Sequence, residues 1–134
     1  MLLQKADVLP LRSDEDVVRA RHAVRDRAAK LGFSLIDQTK MVTAASELAR
    51  NAVLHGGGGE VTIEVLRHDE RIGLRLTFED HGPGIPDVEL ALRDGYSTGT
   101  GLGLGLSGSR RLMNEFEIRS APGEGTRVCV TRWK

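Results

Sequence analysis

Glycine occupies six of the fourteen positions in the segment GYSTGTGLGLGLSG, residues 95–108. A glycine inside a helix or strand costs about 0.5–1 kcal/mol relative to alanine, so this segment is predicted to be a loop. Leu102, Leu104 and Leu106 alternate with the glycines. Such an apolar alternation is unusual in a solvated linker and indicates a loop that packs when closed and moves when open. A flexible linker is the alternative.

A helix is predicted to follow this loop, from about Leu104 to Asn114. The backbone amides of Gly101, Gly103 and Gly105 would then precede a helix N-terminus, where free N–H groups and the helix dipole favour an anion such as phosphate. The loop carries no G-K-[ST] sequence and follows no strand of a parallel βαβ unit. This excludes the Walker A and Rossmann phosphate loops.

Composition limits the classes of protein to which the chain can belong. A length of 134 residues predicts one domain over residues 1–134. The formal net charge of zero argues against nucleic acid as a partner. No run approaches the ~20 apolar residues that span a bilayer, so a membrane is not expected as a partner either. The only cysteine, Cys129, cannot form an internal disulfide, and we expect a cytoplasmic protein.

Apolar periodicity predicts an α+β fold. The stretch ADVLPLRS indicates an edge strand, because proline is confined to sheet edges. One amphipathic helix follows, between an N-cap at Ser13 and a stop at Gly32, and a second runs from about Asp37 to the HGGGG segment. EVTIEVLR and RIGLRLTFED predict one antiparallel hairpin, and EFEIRS and TRVCVTRW predict another that turns at PGEG. A short helix is expected near Asp87. We predict a two-layer α/β sandwich, in which helices cover one face of a mixed, mainly antiparallel sheet.

One face of the second predicted helix is polar. Thr43, Glu47, Asn51 and His55 are spaced four residues apart and therefore share one side of the helix. The Asn51 amide oxygen suits a hard cation such as Mg²⁺, and the Glu47 carboxylate could orient or deprotonate a hydroxyl group. The alternative is a solvated face on which Glu47 pairs with Arg50.

The loop EDHGPGIPD follows the second strand of the first hairpin. Asp80 stands at the strand end, where its carboxylate can accept hydrogen bonds from an exocyclic amine. Gly82 and Gly84 allow a tight turn and the close approach of a flat ligand. A plain β-turn is the alternative, because Asp and Gly are common turn residues.

These segments, in this order, resemble the motifs of the gyrase, Hsp90, histidine-kinase and MutL (GHKL) ATPase superfamily. ELARNAVLHG resembles its N box, EDHGPGIPD its first glycine box, GTGLGLGL the second glycine box that forms a lid over ATP, and GEGT the late Gly-Thr element. Through SELARN, DHGPGIPD, DGYSTGTGLGLGL, RLMNEF and GEGT, the chain is similar to bacterial anti-sigma-type serine kinases and, more narrowly, to stressosome switch kinases. A histidine-kinase phosphoacceptor box is not evident, and His22 is expected on a helix surface.

The resemblance implies the GHKL (Bergerat) ATPase fold with ATP and Mg²⁺ as cofactors. Glu47 would be the general base that activates the incoming hydroxyl, and Asn51 would bind Mg²⁺. Asp80 would accept the adenine amine, in a pocket shaped by Gly82 and Gly84.

Further residues take roles from the same resemblance. Thr126 would support the adenine end of the site. Arg50 would approach phosphate or pair with Glu47, and His55 would be structural or indirect in its role. The lid residues would line the nucleotide; they are Gly99, Thr100, Gly101, Leu102, Gly103, Leu104 and Gly105.

The activity implied by the resemblance is phosphoryl transfer from Mg-ATP to a serine or threonine of a partner protein. The expected substrate resembles a STAS-domain anti-sigma antagonist, and the released kinase would activate a PP2C-type phosphatase. This makes the chain a partner-switching regulator of a bacterial stress or sigma-factor pathway. The alternative is an anti-sigma factor that sequesters a sigma factor in a nucleotide-dependent manner. A degenerate nucleotide-binding scaffold is a third reading.

Overall fold

The computed structural model describes residues 2–93 and 105–134. Its strands and helices follow the order predicted from the sequence, which confirms the α+β fold class. In chain order they are β1 (Leu2–Leu11), α1 (Asp14–Lys30), α2 (Leu35–Leu54), β2 (Gly59–His68), β3 (Arg71–Asp80), α3 (Val88–Ala91), α4 (Gly105–Leu112), β4 (Glu115–Ser120) and β5 (Thr126–Trp133).

The five strands form one sheet in the order β1-β2-β3-β5-β4. Every pair of neighbouring strands in the described part of the chain is antiparallel, so the predicted mixed sheet is wrong on this point. The reason lies in the connections. Strand β2 is joined directly to β3, and β4 directly to β5, by hairpins, which make each of these pairs antiparallel. Strands β1 and β2, and strands β3 and β5, pair across longer connections and are antiparallel as well. Pro10 lies in the edge strand β1, as predicted.

The helices pack on one face of the sheet. Helix α2 contacts β1, β2, β3 and β5, while α1 packs beside it and against β1. The predicted apolar stripe of α2, which comprises Met41, Ala45, Leu48 and Ala52, is buried. The strands bury alternate residues against the helices; they are Val61, Ile63, Val65, Leu74, Leu76, Phe78, Val128 and Val130. Burying each large apolar side chain contributes about 1.5–3 kcal/mol, so this layer is the main source of stability.

Capping side chains set the helix boundaries. Ser13 caps α1 as predicted, and Gly32 follows its end with a φ of 84°. Helix α2 begins at Leu35, two residues before the predicted start. The reason is that the Ser34 hydroxyl accepts a hydrogen bond from the Asp37 amide at 3.1 Å. Within the part of the chain that the structure describes, no helix is both long and apolar enough to cross a bilayer.

Candidate active site

Asp80 is the last residue of β3 and lies beside Gly59 of β2 and Thr126 of β5. Its Oδ1 atom accepts hydrogen bonds from the backbone amides of Gly82, at 3.0 Å, and Thr126, at 3.2 Å. These two bonds hold the carboxylate in one orientation. They leave Oδ2 as the oxygen that can accept a hydrogen bond from a bound ligand.

Gly56 lies just after the end of α2 and packs against the Asp80 side chain. Its amide donates to the Asn51 carbonyl oxygen at 3.2 Å. A Cβ atom at Gly56 would lie 2.2 Å from Cγ of Asp80, and a Cβ at Gly82 would lie 2.6 Å from Cα of Gly56. Only glycine permits both approaches. The close packing at Gly82 is therefore against the chain's own backbone, in addition to any approach of a ligand.

The loop after β3 is fastened to the turn between β4 and β5. The Gly123 amide donates to the Pro83 carbonyl at 2.7 Å, and the Ile85 amide donates to the Ser120 hydroxyl at 2.7 Å. Gly84 has a φ of 80°, and a Cβ there would lie 2.1 Å from the Ala121 carbonyl oxygen. The predicted plain β-turn at Asp80 is thus part of a larger arrangement of two interlocked loops.

The polar face of α2 contains one buried carboxylate. Glu47 is only 5% exposed, and its Oε2 lies 3.6 Å from Nη1 of the half-buried Arg50. The predicted Glu47–Arg50 pair is confirmed, but a solvated face is wrong for Glu47. Burying a carboxylate is costly unless it is well paired. Among the described residues, Arg50 is the ion-pair partner of Glu47, and the 3.6 Å contact compensates weakly for the burial of the carboxylate.

The remaining members of this face lie along α2 and at its end. Asn51 is half-buried. The Thr43 hydroxyl donates to the Thr39 carbonyl oxygen at 2.8 Å, a bond within the helix. His55 is the exposed C-cap, and its amide donates to the Asn51 carbonyl at 2.9 Å.

The structure brings two of the three predicted segments together. The α2 end that carries Asn51 meets Asp80 through Gly56, and Glu47 lies one helical turn before Asn51. Helix α4, which begins at Gly105, packs against α2. The other predicted lid residues lie outside the described residues; they are Gly99, Thr100, Gly101, Leu102, Gly103 and Leu104.

The described residues contain no group of three or more His, Cys, Asp or Glu side chains that could hold a metal ion. The half-buried Asn51 offers a neutral amide oxygen, and hard cations such as Mg²⁺ bind oxygen ligands and complete their shell with phosphates and water.

An open cavity of about 660 Å³ lies at the C-terminal end of α2. Of the residues predicted to bind nucleotide or metal, it contains only Gly82. Its lining residues are Arg12, Leu54, His55, Gly56, Gly57, Gly58, Gly59, His81, Gly82 and Pro83.

The sequence reasoning missed three residues that build the site: Gly56, Ser120 and Gly125. Gly56 is the last residue of ELARNAVLHG and Gly125 belongs to GEGT, so both lie in recognised motifs without a predicted role. A Cβ at Gly125 would lie 2.2 Å from the Asp80 carbonyl oxygen. Ser120 carries no motif, and the Ile85 amide that it binds lies 35 residues away along the chain.

Comparison with known proteins shows the family of the chain. Residues 36–134 match the family of histidine kinase-, DNA gyrase B- and HSP90-like ATPases. The chain belongs to this family. It is 47% identical over 118 residues to the serine/threonine-protein kinase RsbT of Bacillus subtilis, covering 88% of this chain and 89% of the relative. It is also 33% identical over 120 residues to the anti-sigma F factor of Bacillus licheniformis, covering 84% of this chain and 81% of that factor.

Solved structures of these ATPases share the fold. The RsbU and RsbW domains of a Mycobacterium tuberculosis protein superpose with a TM-score of 0.63 at 20% identity, over 98% of this chain and 33% of that one. The mycobacterial sensor histidine kinase MprB superposes with a TM-score of 0.56 at 19% identity, over 96% of this chain and 97% of that one. The predicted family and fold are therefore confirmed, while the roles of individual site residues stay predictions.

Proposed function

We propose that the chain is a serine/threonine-protein kinase that uses ATP and acts as a partner-switching regulator. The family and the relatives support this proposal at the level of the whole chain. The observation in the structure that carries it is the buried Glu47 carboxylate, one turn before Asn51 on a helix whose end packs against Asp80. This arrangement can place a general base, a metal ligand and a hydrogen-bond acceptor for adenine along one side of the nucleotide.

Each group has a defined part in the proposed reaction. Oδ2 of Asp80 would accept a hydrogen bond from the exocyclic amine of adenine, and the amide oxygen of Asn51 would hold Mg²⁺. When bound, Mg²⁺ would neutralise the negative charge that develops on the phosphates. Glu47 accepts the proton of the attacking hydroxyl. The new bond joins the serine or threonine oxygen to the γ-phosphorus, and the bond from that phosphorus to the β–γ bridging oxygen breaks, leaving ADP.

The proposed substrate is a STAS-domain protein of the anti-sigma-antagonist type. A phosphate group adds about −1.5 to −2 charges at neutral pH, which alters a docking surface and releases the kinase. The freed kinase would then bind and activate a PP2C-type phosphatase. We also propose that the chain uses Mg²⁺, forms a single domain over residues 1–134 and works in the cytoplasm.

Transfer of labelled γ-phosphate to a STAS protein tests the catalytic roles. Glu47→Gln removes the base while keeping the side-chain volume, and Asn51→Ala removes the metal ligand. We expect each variant to lose transfer by about 10²-fold or more, because a general base contributes roughly 10²–10⁴-fold. Glu47→Gln should still bind ATP. Glu60→Gln, which changes an exposed glutamate of β2, is the matched control. Full transfer by Glu47→Gln and Asn51→Ala would exclude the mechanism.

The similarity to anti-sigma F factors supports a second candidate function, in which the chain holds a sigma factor by protein contact. Affinity capture followed by mass spectrometry, with and without ATP, separates the two functions. Capture of a STAS protein or a PP2C-type phosphatase supports the kinase switch. Nucleotide-dependent capture of a sigma factor would favour the alternative.

A further inference from the structure

Ser120 lies in a row of residues that crosses four strands on the helix-covered side of the sheet. The pairings place Gly59 opposite Asp80, Asp80 opposite Thr126, and Thr126 opposite Ser120. Ser120 is therefore two strands away from the Asp80 carboxylate and adjacent to Thr126. It is half-buried and is the last residue of β4.

The Ser120 hydroxyl makes three short polar contacts. It accepts a hydrogen bond from the Ile85 amide at 2.7 Å and donates one to the Gly125 carbonyl oxygen at 3.0 Å. Its oxygen also lies 2.8 Å from Oγ1 of Thr126, and either atom of that pair could be the donor.

The number of protons decides the direction of the Thr126 contact. A serine hydroxyl has one proton to donate and two lone pairs that can accept. The bond to Gly125 uses the Ser120 proton, so the Thr126 hydroxyl must donate its own proton to Ser120. The hydrogen-bonding capacity of Ser120 is then fully used. Thr126 is then left with lone pairs only, so its hydroxyl can act toward a ligand only as an acceptor.

Resting on the nucleotide site proposed above, we propose that Ser120 is a positioning residue that sets base specificity through Thr126. With the Thr126 proton held by Ser120, the site presents acceptors from both Asp80 and Thr126. A 6-amino purine such as adenine brings donor hydrogens to this position, directly or through one water. A 6-oxo purine carries an acceptor oxygen in place of the amine, so the group at this position loses its hydrogen bond and the 6-oxo purine binds more weakly. Ser120 acts on the ligand only through its neighbour.

Competition against a fluorescent ADP analogue, with ATP and inosine triphosphate as competitors, tests this role on the full chain. Ser120→Ala frees the Thr126 proton, so that Thr126 can donate to a 6-oxo group. We expect the preference for ATP over inosine triphosphate to fall by about 3- to 10-fold, the effect of one hydrogen bond. Ser120→Thr keeps the hydroxyl and should retain the preference.

Thr126→Val provides a second test that does not depend on the Ser120→Ala variant being folded. It removes the acceptor but leaves the Ser120 bonds to Ile85 and Gly125 in place, so the preference should fall as well. An unchanged preference in Ser120→Ala or Thr126→Val would overturn the proposal, and so would equal weakening of both nucleotides by Ser120→Ala. If the wild-type chain bound neither nucleotide, the nucleotide site itself would be wrong and this proposal would fall with it.

Discussion

The charged side chains of this protein are of two kinds. Those of the first kind stabilise the fold through several polar contacts, and those of the second kind are kept by the fold at the candidate site. Asp16 belongs to the first kind. It is buried near the start of α1, where Oδ2 accepts the Arg12 amide at 2.9 Å and Oδ1 accepts Nη1 of Arg19 at 2.9 Å. Glu47 belongs to the second kind, since it is buried and its ion pair with Arg50, among the residues that the structure describes, is long at 3.6 Å.

The bonds of Asp16 predict a pH dependence of stability. The hydrogen bond from the Arg12 amide, helped by the charges of Arg12 and Arg19, lowers the pKa of Asp16. A carboxyl group with a lowered pKa in the folded state stabilises that state fully above its unfolded pKa, about 3.9. This contribution is lost as the pH falls through the lower folded value.

Urea unfolding of Asp16→Asn and of the wild type, from neutral pH down to pH 3, measures this contribution. We expect the variant to be less stable at pH 7 and the difference to shrink below about pH 4. Asp14→Asn changes an exposed carboxylate in the same helical turn and serves as the control. A constant difference across the whole pH range would contradict the assignment.

Among the secondary-structure elements, those with both a clear period and a clear end signal could be predicted from the sequence. Helix α1 and both hairpins are of this kind. Helix α2 begins two residues before the predicted start near Asp37, because the Ser34 hydroxyl caps it by accepting a hydrogen bond from the Asp37 amide. Strand order and the absence of parallel pairs in the described sheet depend on how distant strands meet, which local periodicity does not encode.

The candidate site shows the same division. Glu47, Asn51 and Asp80 could be proposed because their spacing and neighbouring glycines follow a family pattern. The contacts of Gly56 with Asp80 and of Ser120 with Ile85 join residues that are far apart along the chain. Such contacts follow from tertiary packing and leave no local trace in the sequence.

The junction between α2 and β3 predicts a strong effect of one methyl group. In Gly56→Ala the added Cβ would overlap the Asp80 side chain, which two backbone amides hold in place. We expect a loss of stability of about 1–3 kcal/mol, as for other overpacked sites, together with weaker ATP binding. Thermal unfolding and calorimetric titration with ATP measure the two effects.

Gly57→Asn is the matched control for Gly56→Ala. Gly57 has a φ of 71° and open space where a Cβ would lie, and asparagine tolerates this backbone conformation. Equal behaviour of Gly56→Ala and Gly57→Asn would show that the close contact with Asp80 has no energetic importance.

Across the whole molecule, the helical layer and the sheet are joined at both ends of α2. At its start, Arg132 of β5 donates to Asp37 Oδ1 at 2.8 Å and to the Leu112 carbonyl at the end of α4 at 2.9 Å. At its other end, Gly56 contacts Asp80. The sheet therefore fixes where α2 carries Glu47 and Asn51 relative to Asp80, and our account requires these three side chains to serve one nucleotide.

Calorimetric titration of Asp80→Asn with Mg-ATP tests that requirement most directly. The asparagine oxygen can still accept from the amides of Gly82 and Thr126, but its NH₂ group then faces the adenine amine, donor against donor. We predict that ATP affinity falls by about 10-fold or more, since a hydrogen bond to a charged group contributes about 1.5–3 kcal/mol. Asp14→Asn should bind like the wild type. Unchanged ATP affinity in a folded Asp80→Asn protein would contradict the account.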